Sequence, residues 1–302
     1  MSPAGTRTVA VLGATGAQGG GVVRALQTRG RFTVRALTRN PDAAVGLGDE
    51  VAAADPSRPE TLTAAFAGAH GVFANTNSFG GPDVDEVAQG RAIIEAAREA
   101  GVTHFVWSTL PDVESISDGE FDVPHFTNKA KVEDFASAAG FESVTFTAPP
   151  FYYQNLLGPM YVAAPGPDGT PTWSQPMSPD SRTIHMGDIN EYGNLVAGAF
   201  EQPSTAGQGQ HLSFAGDLLS WNDIIDTLRR QGHDIAYTRM PDDIWDDMFD
   251  GADAIRRMFN YFEAHTYFGP NAGIDTTAAA RVTTAPFTTF SDWSKTNMPV
   301  ST

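Results

Sequence analysis

The sequence predicts an α/β fold: a doubly wound parallel sheet with a smaller C-terminal α/β lobe. Three observations predict it. Strand-like and helix-like stretches alternate through the first 150 residues, the pattern of parallel strands joined by helical crossovers. A glycine pattern, Gly13-Ala-Thr-Gly16-Ala-Gln-Gly19, lies directly between the first strand and the first helix. After Pro149-Pro150 the alternation gives way to a proline- and glycine-rich stretch over 158–182 that reads as loop.

The elements follow in order. Arg7–Gly13 is a strand with Val9, Val11 and Leu12 as its apolar body. Gln18–Arg29 is a helix with Val22, Val23 and Leu26 on one face. Phe32–Thr38 and Glu50–Ala54 are the second and third strands. Pro59–Ala67 opens with a proline, whose missing N–H is harmless at a helix start. His70–Thr76 is the fourth strand. Asp83–Ala100 is the longest helix, stopped by Gly101. Val102–Ser108 is the fifth strand, Phe126–Ala139 a helix ended by Gly140, and Glu142–Thr147 the sixth strand. Later, His211–Phe214 reads as a strand returning to the sheet and Trp221–Arg230 as an amphipathic helix. The six aspartates of 241–254 lack the alternate ligands and closing Glu of a calcium loop and read as a solvated helix face. The chain thus divides into a dinucleotide-binding unit, 1–155, completed by the strand near 211–214, and a smaller lobe, 156–302, for a substrate or partner.

Composition narrows the function. The chain has 302 residues, a formal charge of −17 and no cysteine. Disulfides, thiol nucleophiles and cysteine metal sites are excluded. No metal site is expected. A polyanion would be repelled, so direct nucleic-acid binding is not expected. No apolar run approaches a membrane span, and Met1 to Thr6 lack the apolar centre of a signal peptide. The expectation is a cytoplasmic protein away from membranes, monomeric or homodimeric.

The glycine pattern carries the chemistry. Gly13 permits the tight turn, Gly16 lets backbone approach a pyrophosphate, and Gly19 lets the helix pack on the strand. The helix N-terminus then offers N–H groups to the anion. This is the turn of a Rossmann-type sheet. The second strand ends in Thr38-Arg39-Asn40-Pro41, with no acid to take the ribose hydroxyls. Arg39 is therefore expected on a 2′-phosphate, which favours NADP(H) over NAD(H). Asp55, after the third strand, is a candidate for the adenine amino group, and Thr76 and Asn77, after the fourth, for the cleft lining.

On these residues the chain resembles the NmrA-like family, an atypical branch of the short-chain dehydrogenases/reductases, and within it the HSCARG-type NADPH sensors. The matching stretches are GATGAQGG (13–20), VRALTRNP (34–41), TN (76–77), PHFTNKAKVEDF (124–135), PPFYYQNLL (149–157) and MFNYFEAHTYFG (258–269). The resemblance implies NADP(H) at the point where strand order reverses. It implies Gly13, Thr15, Gly16, Ala17 and Gln18 on the pyrophosphate, Arg39 on the 2′-phosphate and Lys129 near the nicotinamide ribose. It also implies Tyr152 to Asn155, including Tyr153, along the nicotinamide. Two departures thin the positive charge: Asp42-Ala43-Ala44 follow the TRNP stretch, and Ala88 stands before Gln89-Gly90 where a lysine is usual.

Reductases of the wider superfamily place a Tyr four residues before the Lys; here His125 stands there. Three readings follow: Lys129 only binds cofactor, Lys129 is itself the general acid or base, or His125 takes that role. Lysine is scarce, three residues against sixteen arginines, so Lys129 marks a site that wants a compact ammonium. Lys131, two residues on, is expected to pair with Asp134. Ser108 and Thr109 sit where a hydroxyl orients substrate, and Trp107, Phe151, Tyr152, Tyr153 and His185 are candidate pocket walls. Two functions remain: a redox sensor or regulator acting through a protein partner, or an NADPH-dependent reductase of a small conjugated substrate such as a quinone.

Overall fold

The computed structural model describes residues 6–79, 81, 84–270 and 276–298. Its first half holds strands β1 (Thr8–Val11), β2 (Thr33–Thr38), β3 (Glu50–Ala53), β4 (Gly71–Ala74), β5 (His104–Ser108) and β6 (Ser143–Ala148). Between them run α1 (Ala17–Arg29), α2 (Leu62–Phe66), α3 (Glu86–Glu99), α4 (Val113–Ile116) and α5 (Pro124–Ala138). The second half adds β7 (Phe151–Tyr152), β8 (Ala164–Pro165), β9 (Pro171–Gln175), β10 (Ile184–Gly187), α6 (Ile189–Glu201), α7 (Pro203–Ala206), β11 (Gln208–Ser213) and β12 (Asp217–Leu219). It closes with α8 (Trp221–Arg230), β13 (Ala236–Arg239), α9 (Asp242–Asp246), α10 (Ala252–His265), α11 (Thr276–Val282) and α12 (Phe290–Asn297).

Seven strands form one parallel sheet in the order β11-β6-β5-β4-β1-β2-β3. The order reverses between β1 and β4, where a crevice opens beyond the strand ends. Alternation within β1 feeds both faces. Val9 and Val11 join a core with Val22, Leu26, Leu195 and Phe200, and Ala10 and Leu12 one with Leu62, Ile93, Trp107 and Val132. Two three-stranded sheets, β12-β10-β7 and β13-β9-β8, build the lobe around Trp173, Trp221, Tyr261 and Phe262.

Several sequence expectations are corrected. The stretch 158–182 is not all loop: β9 pairs with β8 and, across some sixty residues, with β13, burying Trp173. Two of its six prolines stand in strands where a strand tolerates them, Pro171 at the start of β9 and Pro165 in the short edge strand β8. The helix expected over Asp83–Ala100 begins at Glu86 with Asp85 as its cap, Asp83 lies outside the described residues, and at 14 residues it is one shorter than α5. The acidic stretch is not simply solvated, since Asp246 grips Arg256 through two 2.7 Å bonds and Asp253 bonds Arg257 at 2.5 Å. The division at residue 155 does not follow the packing either. Helix α6 lies against α1 so closely that a Cβ on Gly193 would stand 2.1 Å from the Gly21 carbonyl oxygen. Residues 189–213 therefore pack with the large sheet, α6 against its helices and β11 along its edge. Among the described residues no helix is long and apolar enough to cross a membrane.

Candidate cofactor and active site

The glycine turn sits on the crevice. Leu12 N–H donates to Phe73 O at 2.9 Å and Ala14 N–H to Leu37 O at 3.1 Å, so the turn is tied to the ends of β4 and β2. Gly13 takes φ +67°, a left-handed conformation that side chains resist. A Cβ on Gly19 would lie 2.3 Å from the Gly13 carbonyl oxygen, so only glycine lets α1 start so close to the strand. The first turn of α1 has no side-chain cap and no acid. Its N–H groups lack intrahelical partners and carry partial positive charge, with Thr15, Gly16 and Ala17 exposed beside them. This cradle fits a pyrophosphate.

One amide joins the walls of the crevice. Gln18 Oε1 accepts from Asn75 Nδ2 and from the Ser108 hydroxyl, each at 3.0 Å, and Gln18 Nε2 donates to the Tyr152 oxygen at 2.9 Å. The glycine turn, the ends of β4 and β5, and the lobe thus meet at a single side chain. Asn75 was missed by sequence reasoning, which chose its neighbours; its only signal is that it directly follows β4. Asn77 is exposed and spends its side chain on the Phe79 N–H at 3.1 Å in a local turn. Burial pushes the Tyr152 hydroxyl well above its ordinary pKa.

Lys129 has a partner that the sequence did not disclose. Its ammonium donates to Glu86 Oε1, to Thr76 O at 2.9 Å and to Thr76 Oγ1 at 3.3 Å. Glu86 is 2% exposed and also accepts from Thr76 Oγ1 at 2.7 Å and Ser78 Oγ at 2.5 Å. Burial lowers the Lys129 pKa, and the Glu86 carboxylate opposes that shift. Three hydrogens meet three acceptors, so the ammonium pins the end of β4 instead of standing free. In sequence Glu86 reads only as an acid at a helix N-terminus, where acids are common.

Other candidates fall elsewhere. His125 faces the Met258 sulfur at 3.4 Å, and burial, aided by the Lys129 charge, takes its pKa down to about 4. It is neutral near pH 7 and does not serve as an acid there. Ser108 is buried and points at Gln18, whereas Thr109 bonds Glu133 and Leu110 O. Trp107 is fully buried, its indole N–H bonded to Lys129 O at 3.0 Å, so it braces α5 and lines no pocket. Tyr153 is corrected likewise: it is fully buried in the lobe core, its hydroxyl on Asp217 at 2.7 Å and its ring tilted against Phe290 and Trp293. Phe151 is buried beside Tyr161. Asn155 is exposed on the 3-10 turn Tyr153–Leu157. Lys131 pairs with Glu114 at 2.7 Å, not Asp134.

Arg39 is exposed one residue beyond β2. Its charge reaches Asp55, whose Oδ1 accepts from Ser57 N and Oγ at 3.0 and 2.7 Å. Slight burial raises the Asp55 pKa, but the Ser57 bonds and the Arg39 and Arg58 charges hold it below the ordinary value.

A model of the NmrA-like family matches residues 5–294. The chain is 33% identical over 241 residues to the NmrA-like family domain-containing oxidoreductase hkm9 of Aspergillus hancockii, covering 74% of this chain and 72% of that one. The chain belongs to the NmrA-like family. A second relative, the NmrA-like family domain-containing oxidoreductase notA of Aspergillus sp. (strain MF297-2), is 31% identical over 294 residues, 87% of this chain and 85% of that one. The NmrA-like chain shares its fold with Nmra, a negative transcriptional regulator, at a TM-score of 0.80 and 22% identity over 96% of this chain and 95% of that one. It shares it too with the NADPH-dependent quinone oxidoreductase QOR2 from Escherichia coli, complexed with NADPH, at a TM-score of 0.77 and 18% identity over 96% and 99%.

The buried imidazoles of this NmrA-like chain set an acid limit. Burial lowers His104 to about 3, and His125 and His185 each to about 4, from an ordinary 6.5. Between the folded and unfolded values the unfolded chain binds more protons, so stability rises with pH there. It is complete above 6.5 and is lost as pH falls toward 4. Thermal scans across that window are expected to show a falling Tm, with a shallower slope in His104→Asn; an unchanged slope contradicts the assignment.

Proposed function

We propose that this chain binds NADP(H), with NAD(H) as the weaker ligand, at the C-terminal edge of the seven-stranded sheet and reduces a small conjugated acceptor with it. The cradle of Gly13, Thr15, Gly16, Ala17, Gln18 and Gly19 suits the pyrophosphate, and exposed Arg39 beyond β2 suits a 2′-phosphate. Thr76, Lys129, Tyr152 and Asn155 then border the remainder. The solved neighbours that bind NAD, NADP or NADPH support the same cofactor class.

The observation that carries the reductase reading is the Tyr152 hydroxyl. Gln18 donates to its oxygen, which leaves the phenolic hydrogen for another acceptor. Its raised pKa keeps that hydrogen in place at neutral pH. Bound in the crevice, a dihydronicotinamide supplies hydride to an acceptor carbon. Tyr152 stabilises the negative charge that develops on the acceptor oxygen by hydrogen bonding, and solvent returns the proton that completes the reduced product. Lys129, held by Glu86 and Thr76, positions the crevice floor and takes no part as an acid.

The regulator reading keeps one specific support: Lys129 and His125 are both withdrawn from acid–base work. Loss of NADPH near-ultraviolet absorbance with a panel of quinones and enals separates the two. Turnover above background supports the reductase; saturable NADPH binding without turnover leaves the regulator. Arg39→Ala is expected to weaken NADPH about tenfold and leave NADH unchanged, since a charge-assisted phosphate contact is worth about 1.5 kcal/mol or more. Unchanged NADPH affinity overturns the phosphate assignment.

A further inference from the structure

His185 is nine-tenths buried, yet among the described residues its Nδ1 has no hydrogen-bond partner, a rare condition for a polar atom in a native interior. It sits on β10, the middle strand of the sheet β12-β10-β7, where Met186 pairs with Phe151 and Gly187 with Tyr152. Ile184, Met186 and Phe151 face the lobe core. Strand alternation therefore turns His185 to the opposite face, the one that carries Tyr152. Tyr152 is bonded to Gln18 of the glycine turn, so this face looks onto the proposed cofactor crevice. Gly187, opposite Tyr152, carries no side chain because Pro150 and Phe214 pack over it, where a Cβ would lie 2.9 Å and 3.0 Å from them.

The surroundings of His185 are built and not incidental. The Phe268 ring lies 5.1 Å from the imidazole. Phe268 is carried by a turn in which Thr266 adopts φ 65° and ψ 164°, a region nearly reserved for glycine. The strain is held by Thr266 Oγ1 on Gly269 O at 3.1 Å, by Tyr267 N–H on Thr183 O at 2.9 Å and by the Tyr267 hydroxyl on Pro149 O at 3.1 Å. The chain thus spends conformational strain to set an aromatic ring beside this histidine.

The imidazole is neutral at working pH because burial disfavours its charge. With Nδ1 enclosed and without an acceptor, it is better left as a lone pair than as an orphaned N–H, so the ring proton sits on Nε2. His185 then presents one neutral N–H beside an aromatic wall. We propose that His185 is the specificity residue of this site, donating to a second oxygen of a flat, uncharged ring acceptor whose first oxygen meets Tyr152. The proposal rests on the reductase reading and deepens it.

The test is equilibrium binding of a simple hydroquinone to the NADP⁺-loaded protein, by calorimetry, beside steady-state turnover of the matching quinone and of an enal with one oxygen. His185→Phe is expected to raise the hydroquinone Kd and the quinone KM about tenfold, leaving kcat, the enal KM and the NADPH Kd within twofold. His185→Gln, which keeps an N–H donor, is expected to recover most of the loss. Absent hydroquinone binding, or binding indifferent to His185→Phe, overturns the proposal; so does an equal rise in KM for quinone and enal. Hydroquinone binding that depends on His185 without any turnover keeps this site and overturns the reductase reading alone.

Discussion

Glu86→Ala is expected to destabilise the protein by about 4 kcal/mol, because it strands the Lys129 ammonium in the interior. Glu86 is 2% exposed and the Lys129 side chain 13%, so water cannot replace the lost carboxylate. The two other acceptors of the ammonium, both on Thr76, are neutral and cannot balance its charge. The Thr76 and Ser78 hydroxyls would also lose their acceptor, loosening the chain after β4. Denaturant unfolding reads the effect. The partner experiment is the double variant Glu86→Leu with Lys129→Met, expected within about 1 kcal/mol of the parent, since replacing a whole buried pair by apolar groups is often neutral. A single-variant loss below about 1 kcal/mol would mean the pair is effectively solvated. Lys129 would then be free for the acid–base role denied to it above.

Gly19→Ala is expected to weaken NADPH binding about thirtyfold and to lower the stability of the cofactor-free protein as well. Its Cβ would meet the Gly13 carbonyl oxygen at 2.3 Å and the carbon at 2.6 Å, backbone atoms that cannot rotate away. Overpacking of this kind costs about 2 kcal/mol, which is roughly thirtyfold when the strained turn is the binding surface. Gly16→Ala separates packing from ligand contact. Its Cβ would lie 3.3 Å from the same oxygen, which a small shift accommodates. Stability should hold while NADPH binding falls, because the methyl group points where a pyrophosphate must approach. Isothermal titration and thermal melts on the two variants read both quantities. Equal behaviour in the two would refute the distinction.

The readable parts of this chain were the local ones. The turn Gly13–Gly19 needs glycines at set spacings, and the alternation of strand and helix shows in hydrophobic period alone. Gln18, Ser108 and Tyr152 were each named, although nothing local said that one amide would join them. Asn75 and Asn77 differ by strand end and turn: the first bonds Gln18, the second closes its own turn. Tyr152 and Tyr153 are adjacent, yet one reaches the crevice and the other the lobe core. Helix α6 escaped notice because its glycines, Gly193 and Gly198, look like breakers. They are there because neighbouring backbones come within a side chain's width.

By itself the sequence determined the sheet class, the glycine turn and the scarcity of cations that a phosphorylated dinucleotide must find. Each depends on residues within a few positions of one another, or on totals over the chain. Tertiary structure alone decided what Lys129 does, by bringing Glu86 to it across forty-three residues. It also decided that His125 stays neutral and that His185 shares a face with Tyr152. Those outcomes depend on burial and on pairing between distant strands, and neither quantity exists until the chain has folded.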